Sequence, residues 1–319
     1  MGKVAVITGA STGIGLQTAI ALSSNPDYSR IVLACRNKEK TQLALSAVPN
    51  SEKYLIAHLD LSSLDSVDNF VAQLKKQGIA QIDRLVLNAG INDYTVPSER
   101  KTADGFDEIW QVNYLSHFYL SACILPLMRR SEARVVALSS FMHWFGSPSR
   151  FGQAGKPTWE KSKLNYYSDS KLAMAVMASE LSRRKIVQAL AVNPGSVGSD
   201  IFRTWFQGKF GAFIRRVFNA FLLSCEDGCK TSVYACTKES AANFEYLSPY
   251  GQIRGWGTLA ACMSDMYWFW PSRNPSKFLG QCSHDVTDAR SGELLWDVST
   301  RAIAGTSEAR QGIMAGFLH

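Results

Sequence analysis

A chain of 319 residues with 46% hydrophobic and 19% charged side chains is long enough to bury a large core and too apolar to be disordered. Its net charge of +7 is spread thinly, without a Lys/Arg block, which suits anionic small molecules or a membrane surface as much as nucleic acid. A nucleic-acid partner is not expected, because a basic stripe with exposed aromatics has only one candidate stretch. Seven cysteines at irregular spacing predict reduced thiols in the cytosol rather than a disulfide frame. Cys225 and Cys229, four apart with no histidine or second pair beside them, read as small buried residues, and no metal is expected.

The apolar run "KVAVITG" almost at once after Met1 predicts a first strand and no signal peptide. It leads into "TGASTGIG" and then the helical pattern "IGLQTAIALSS". Gly9, Gly13 and Gly15 allow a tight turn, close approach of backbone to a pyrophosphate and close helix packing, while Ser11, Thr12 and Ile14 complete the loop at the helix N-terminus. Three glycines in a turn say little alone; strand before and helix after give them meaning.

The second strand, "IVLAC", ends in "ACRN". An acidic residue there would hold ribose hydroxyls, whereas an arginine clamps a 2′-phosphate. Arg36, with Lys40 as a second cation, therefore predicts NADP(H) over NAD(H).

Further along, "YLIAHL", "DRLVLNAG", "RVVALSS" and "IVQALAVNPG" read as buried strands. "KEKTQLALSAV", "LDSVDNFVAQLKKQ", "GFDEIWQVNYLSHFYLSACILPLMRR" and "SKLAMAVMASELSRR" read as the helices between them. This alternation predicts an α/β fold, a doubly wound parallel sheet of Rossmann type, over at least residues 2–200. No run of about 18 apolar residues occurs, so no spanning helix is expected.

After about residue 200 the rhythm changes. "DIFRTWFQGKFGAFIRRVFNAFLLS" is rich in Phe and Trp, and a helix is expected from Glu226 to about Lys238. "DMYWFWP" reads as a last strand and "GELLWDVSTRAIAG" as a terminal helix. Without an internal repeat or linker, residues 1–319 read as a single domain, with 200–250 as the segment after the change of rhythm and 264–319 as last strand plus C-terminal extension.

Thr8-Gly9-x-x-x-Gly13-Ile14-Gly15, Asp60-Leu61, Asn88-Ala89-Gly90, Asn113, Ser139-Ser140, Tyr167-x-x-x-Lys171 and Pro194-Gly195 follow one another in an order and spacing that resembles the short-chain dehydrogenase/reductases. Within that family the sequence is similar to the retinol dehydrogenase and protochlorophyllide reductase branch, and "VLACRNKEK", "HLDLSSLDSVDNFV", "YSDSKLA" and "YWFW…LLWDVSTRAIAG" all resemble protochlorophyllide reductases. Ser196 stands where protochlorophyllide reductases carry a cysteine, the insertion between Ser140 and Tyr167 is shorter, and Asn88-Ala89-Gly90 replaces asparagine-alanine-alanine. The resemblance implies the branch and not light-driven chemistry.

Reduction of a carbonyl needs a hydride on carbon and a proton on oxygen, and a phenol with a pKa of about 10 is a reluctant acid near neutrality. A lysine four residues on shares its helix face, stabilises the phenolate and brings it toward working pH. Tyr167 is thus the expected general acid/base with Lys171 as partner, while Tyr166, rotated by about 100°, reads as a packing residue. The resemblance adds further roles. Lys171 holds the nicotinamide ribose, and Ser140, the second of its pair, orients the substrate oxygen. The Asn113 site holds a water that links Lys171 to solvent. Asp60 and Leu61 meet adenine, and Asn88, Ala89 and Gly90 close the fourth strand against the cofactor. Pro194, Gly195, Val197 and Ser199 meet the carboxamide. His117 and His143, among five scattered histidines, are assigned to ordinary structure.

The resemblance implies that residues 200–250 form a helical substrate lid, and there Phe202, Trp205, Phe206, Phe210, Phe213, Phe218 and Phe221 recur mostly at three- and four-residue intervals, while Phe141, Trp144 and Phe145 follow Ser140. Together they predict a bulky, lipophilic carbonyl or alcohol, polycyclic or isoprenoid. Arg203, Lys209, Arg215 and Arg216 interleave with these aromatics, so the stretch also fits peripheral contact with an anionic membrane surface. The expected activity is NADP(H)-dependent interconversion of a carbonyl and an alcohol. Reduction of a conjugated C=C bond and a non-catalytic nucleotide sensor are the alternatives, and the oligomeric state, monomer or dimer, stays open.

Overall fold

The computed structural model describes residues 2–46, 48–92, 100–129, 131–153, 163–197, 223–239, 244–249 and 280–317. Among the described residues seven strands form one sheet in the order β3-β2-β1-β4-β5-β6-β7, every pairing parallel. They are β1 (Lys3–Thr8), β2 (Tyr28–Cys35), β3 (Tyr54–His58), β4 (Arg84–Leu87), β5 (Arg134–Leu138), β6 (Gln188–Val192) and β7 (Glu245–Leu247). The strand order reverses between β1 and β4, which opens a crevice at their carboxyl ends.

The continuous apolar runs are explained by burial on both faces. Side chains alternate along each strand, so Ala5, Ile7, Ile31 and Leu33 face one core and Val6 and Val32 the other. The first core is closed by α1 (Gly13–Ser23) and α2 (Lys38–Leu45) through Ala19, Leu22 and Leu45. The second is closed by α3 (Leu64–Lys76) through Phe70 and Leu74 and by the helices that follow. Local signals set the boundaries: Asn37 accepts from Lys40 N at 2.7 Å to cap α2, and Ser63 accepts from Ser66 N to cap α3, whose last turn carries Lys75 and Lys76.

The stretch read as one long helix around Asn113 is divided. It comprises α4 (Glu108–Trp110), a π turn over Gln111–Leu115, α5 (Ser116–Ile124) and a 3₁₀ turn over Leu125–Leu127 that contains Pro126. Proline cannot continue the helix, and the wide turn falls on the asparagine whose side chain bonds the neighbouring loop. The long helix α6 (Lys163–Arg183) crosses the same face; its residues 166–181 are all buried, because a second helical layer covers them.

That layer is the C-terminal segment: α9 (His284–Thr287), α10 (Ala289–Ala304) and α11 (Glu308–Phe317). Asp288 accepts from Ser291 N at 2.9 Å to cap α10, whose Leu295, Trp296, Ser299 and Ile303 form the buried stripe. Trp296 stacks on Phe317 at 4.7 Å and meets Phe118 edge-on at 5.0 Å, and Arg310 of α11 pairs with Asp65 and Asp68 of α3. The sequence reading anticipates α10 and not α11.

On the opposite face the helix expected from Glu226 is two, α7 (Cys225–Gly228), capped by Ser224, and α8 (Lys230–Thr237). The buried guanidinium groups of Arg84 and Arg134 donate to the carbonyls of Cys236 and Ala235 at the end of α8, which satisfies groups a helix C-terminus leaves open. Residues 225–237 and 245–247 therefore belong to the sheet and its cover. Residues 200–222 of the expected lid, with Phe202, Trp205, Phe206, Phe210, Phe213, Phe218, Phe221 and the interleaved Arg203, Lys209, Arg215 and Arg216, lie outside the described residues, as does "DMYWFWP". Among the described residues the seventh strand is the short segment Glu245–Leu247. Among the described residues no helix is long and apolar enough to cross a membrane.

Candidate active site

The crevice at the reversal of strand order is a cleft of about 570 Å³. Its floor begins where β1 ends. Gly9 and Gly13 have φ of 65° and 61°, a left-handed conformation that glycine adopts without strain. A methyl group on Gly15 would lie 2.4 Å from Asn88 Nδ2 and 2.6 Å from Gly9 O, so α1 starts against the exit of β4. Thr8 ties the two together: its Oγ1 accepts from Asn88 N at 2.9 Å and Ala89 N at 3.0 Å, and Asn88 Nδ2 donates to Thr8 O at 2.8 Å.

Ser11, Thr12, Gly13 and Ile14 line the cleft. Thr12 occupies the N-cap position of α1 without a side-chain hydrogen bond to the helix, which leaves the helix N–H groups to a ligand. Glycine backbone without side chains and an uncapped helix N-terminus form a cradle that fits the pyrophosphate of a dinucleotide.

Arg36, Asn37 and Lys40 form the cleft wall beyond β2, with Arg36 and Lys40 exposed to solvent. The Asn37 cap starts α2 there and brings Lys40 round to the same rim. Asp60 and Leu61 line the next section; Asp60 Oδ1 accepts from Ser62 N at 3.0 Å and Ser62 Oγ at 2.7 Å, so its carboxylate also builds the turn.

The far end holds Ser140, Tyr167 and Lys171. One turn of α6 separates Tyr167 from Lys171, whose Nζ lies 5.6 Å from the phenol ring centre and donates to Leu138 O at 3.1 Å. Burial alone pulls the Lys171 pKa down to about 8, since desolvation disfavours its charged form. The two serines at the exit of β5 divide their work. Ser139 Oγ donates to Lys171 O at 2.8 Å and is spent on holding α6, whereas Ser140 Oγ accepts from Met142 N at 3.3 Å at the cleft wall.

Asn113 lies behind the cleft. Its Oδ1 accepts from Ile91 N at 2.7 Å, and its Nδ2 donates to Ile91 O at 2.9 Å and Ser170 Oγ at 3.1 Å, which fastens the loop after Gly90 to α6. Gly90 fits between: a methyl there would meet Lys171 Nζ at 3.3 Å and Asn113 Oδ1 at 3.4 Å. Tyr166 is buried in the core under α6. Pro194, Gly195 and Val197 close the cleft with Ser196, Gly195 at φ 82°.

Of the residues expected to meet the substrate, Phe141 lines the cleft. Trp144 and Phe145 do not belong to the wall that the described residues form. The 3₁₀ helix over Phe141–Phe145 turns successive side chains by about 120°, leaving Phe145 48% exposed. Ser199 lies outside the described residues with Phe202, Trp205 and Phe206. The sequence reading missed Ile91, Asn92, Glu108, Val112 and Met142, which also line the cleft. Only Glu108 and Val112, four apart ahead of Asn113, carry a signal that spacing could have shown. Among the described residues no group of three or more His, Cys, Asp or Glu side chains could hold a metal ion.

The family profile for short chain dehydrogenases matches residues 3–209. Mouse retinol dehydrogenase 12 is 34% identical over 249 residues, 75% of this chain and 74% of that protein. The WW domain-containing oxidoreductase of Drosophila melanogaster is 33% identical over 250 residues, 74% of this chain and 58% of that protein, so the match leaves a large part of that relative unpaired. Among solved structures, an uncharacterised protein from Mycobacterium paratuberculosis superposes with a TM-score of 0.67 at 25% identity, covering 94% of this chain and 92% of that one. An NADPH-bound carbonyl reductase from chicken fatty liver shares the fold at a TM-score of 0.56 and 18% identity, covering 80% and 99%. The chain belongs to the short-chain dehydrogenase/reductases, a family of oxidoreductases that work with a nicotinamide cofactor.

Proposed function

We propose that this protein is an NADP(H)-dependent oxidoreductase that interconverts a carbonyl and an alcohol on a bulky lipophilic small molecule. The observation that carries the reading is the joining, in one cleft, of the glycine cradle at Gly9–Gly15 and the Tyr167–Lys171 pair. The bound cofactor would supply hydride to the carbonyl carbon, or accept it in reverse.

The chain does the rest. The α1 N-terminus and the loop from Gly9 to Gly15 hold the pyrophosphate, Asp60 and Leu61 take the adenosine end, and Arg36 with Lys40 meet a 2′-phosphate. Tyr167 gives its phenolic proton to the substrate oxygen. Lys171 stabilises the phenolate that remains, an effect strengthened by its burial. Ser140 donates to the same oxygen and fixes it for proton transfer. Asn113 keeps the Gly90 loop and α6 in register through its three bonds. The reading of a lipophilic substrate is supported by Phe141 and Met142 at the cleft wall, by the aromatic series from Phe202 to Phe221 in the sequence, and by the likeness to a retinol dehydrogenase.

Titration of the purified protein with NADPH and NADH, read by energy transfer from its tryptophans to the nicotinamide, tests this. NADPH binding at least tenfold tighter supports the reading. Equal binding removes Arg36 as a phosphate clamp, and binding of neither removes the enzyme.

A further inference from the structure

His143 lies three residues beyond Ser140 and is wholly buried. It contacts three separate parts of the chain. Its Nδ1 lies 2.7 Å from Ser140 O and 3.2 Å from the Tyr246 hydroxyl of β7, and its Nε2 lies 3.2 Å from the backbone N of Ser283. A backbone N–H can only donate, so Nε2 accepts, and the ring proton sits on Nδ1, where it is given to the Ser140 carbonyl. That carbonyl also receives His143 N at 3.0 Å and the Tyr246 hydroxyl at 3.4 Å. The ring is packed between Trp144 and Tyr246, with centroids 5.2 and 4.9 Å away.

We propose that His143 is a positioning residue for Ser140: as a neutral imidazole protonated on Nδ1, oriented by Ser283 N–H, it fixes the Ser140 carbonyl and so the direction of the Ser140 hydroxyl. This deepens the proposed function and rests on the role of Ser140 within it. The reason is geometric. A hydroxyl at a strand exit is held in productive geometry only if its own peptide is fixed, and displacement by about 1 Å costs up to about a hundredfold in rate. Three donors on one carbonyl supply that constraint, and one of them comes through a ring anchored on the segment that leads into the C-terminal helices. Burial pulls the His143 pKa down to about 4, which keeps the ring neutral at working pH.

Two amide replacements separate the two bonds. In His143→Asn the side-chain NH₂ takes the place of Nδ1 and still donates to Ser140 O. In His143→Gln the terminal amide takes the place of Nε2, keeping a partner for Ser283 N–H and losing the donor to Ser140. With retinal as probe and NADPH as cofactor, His143→Gln is expected to lower kcat about tenfold or more while KM for retinal and NADPH affinity stay within about twofold. His143→Asn is expected to keep kcat within about threefold. Added to Ser140→Ala, His143→Gln is expected to cause no further loss, because it acts through the hydroxyl already removed. Equal loss in both amide variants alongside equal loss of thermal stability would overturn the proposal, as would an unchanged kcat in His143→Gln or a further fall in the double variant. Long-range ¹H–¹⁵N spectra of histidine-labelled wild-type protein read the ring directly: Nε2 unprotonated supports the lock, and a proton on Nε2 refutes it. A wild-type protein that binds NADPH yet turns over neither retinal nor other lipophilic ketones would defeat the functional reading alone, and the ring spectrum would still decide the lock.

Discussion

The ammonium of Lys171 donates to the carbonyl of Leu138 at 3.1 Å in a buried position, and burial holds its pKa at about 8. A free lysine titrates near 10.5. Below pH 8 both folded and unfolded chains carry the proton, and the folded state bears the full desolvation cost. Between about pH 8 and 10.5 only the unfolded chain keeps it, so stability gains with rising pH. The cost at pH 7 is about 3 kcal/mol, and leaving the Leu138 carbonyl without this donor returns about 1 kcal/mol of it. Lys171→Met is therefore expected to raise the unfolding free energy in urea by about 2 kcal/mol at pH 7, with the gain lost by pH 10. Destabilisation at pH 7 would show that the bond outweighs the burial.

Tyr167→Phe removes the proton donor and leaves the ring in place. Turnover is expected to fall by about a thousandfold or more, with NADPH affinity in the fluorescence titration nearly unchanged. Full activity in this variant defeats the mechanism.

Gly15→Ala places a methyl 2.4 Å from Asn88 Nδ2 and 2.6 Å from Gly9 O. Part of that clash is with backbone, which cannot turn aside as a flexible side chain can. The variant is expected to lose about 1–3 kcal/mol of stability and nearly all nucleotide binding. Wild-type NADPH affinity would mean the cradle is not the pyrophosphate site.

Arg36→Ala is expected to weaken NADPH binding by about tenfold or more, the loss of a charge-assisted contact worth about 1.5–3 kcal/mol. NADH binding should not change. Parallel loss for both cofactors would place Arg36 in the folding of β2 and α2 instead.

Trp296 is 3% exposed, stacks on Phe317, meets Phe118 edge-on and carries the Arg184 guanidinium 4.5 Å above its ring. Trp296→Ala is expected to cost about 3–5 kcal/mol in chemical denaturation. A loss under 1 kcal/mol would mean that α10 contributes little to holding α6.

The apolar runs that become β1 to β6, the glycine turn after Thr8 and the four-residue spacing of Tyr167 and Lys171 are local patterns, and local patterns are legible without coordinates. Helix limits were less so. The wide turn at Asn113 depends on bonds to Ile91, 22 residues earlier. β7 is three residues long, too short to show a period.

Sequence alone determined the family, the sheet and the placing of Tyr167 and Lys171 on one helix face, because strand burial, turn glycines and i,i+4 faces are fixed within a few residues of chain. The tertiary structure decided which of two serines is spent on holding α6, that Phe145 turns to solvent, and that His143 binds Ser140, Tyr246 and Ser283 together. Those outcomes depend on groups up to 140 residues apart, and no periodicity records where a buried donor finds its acceptor.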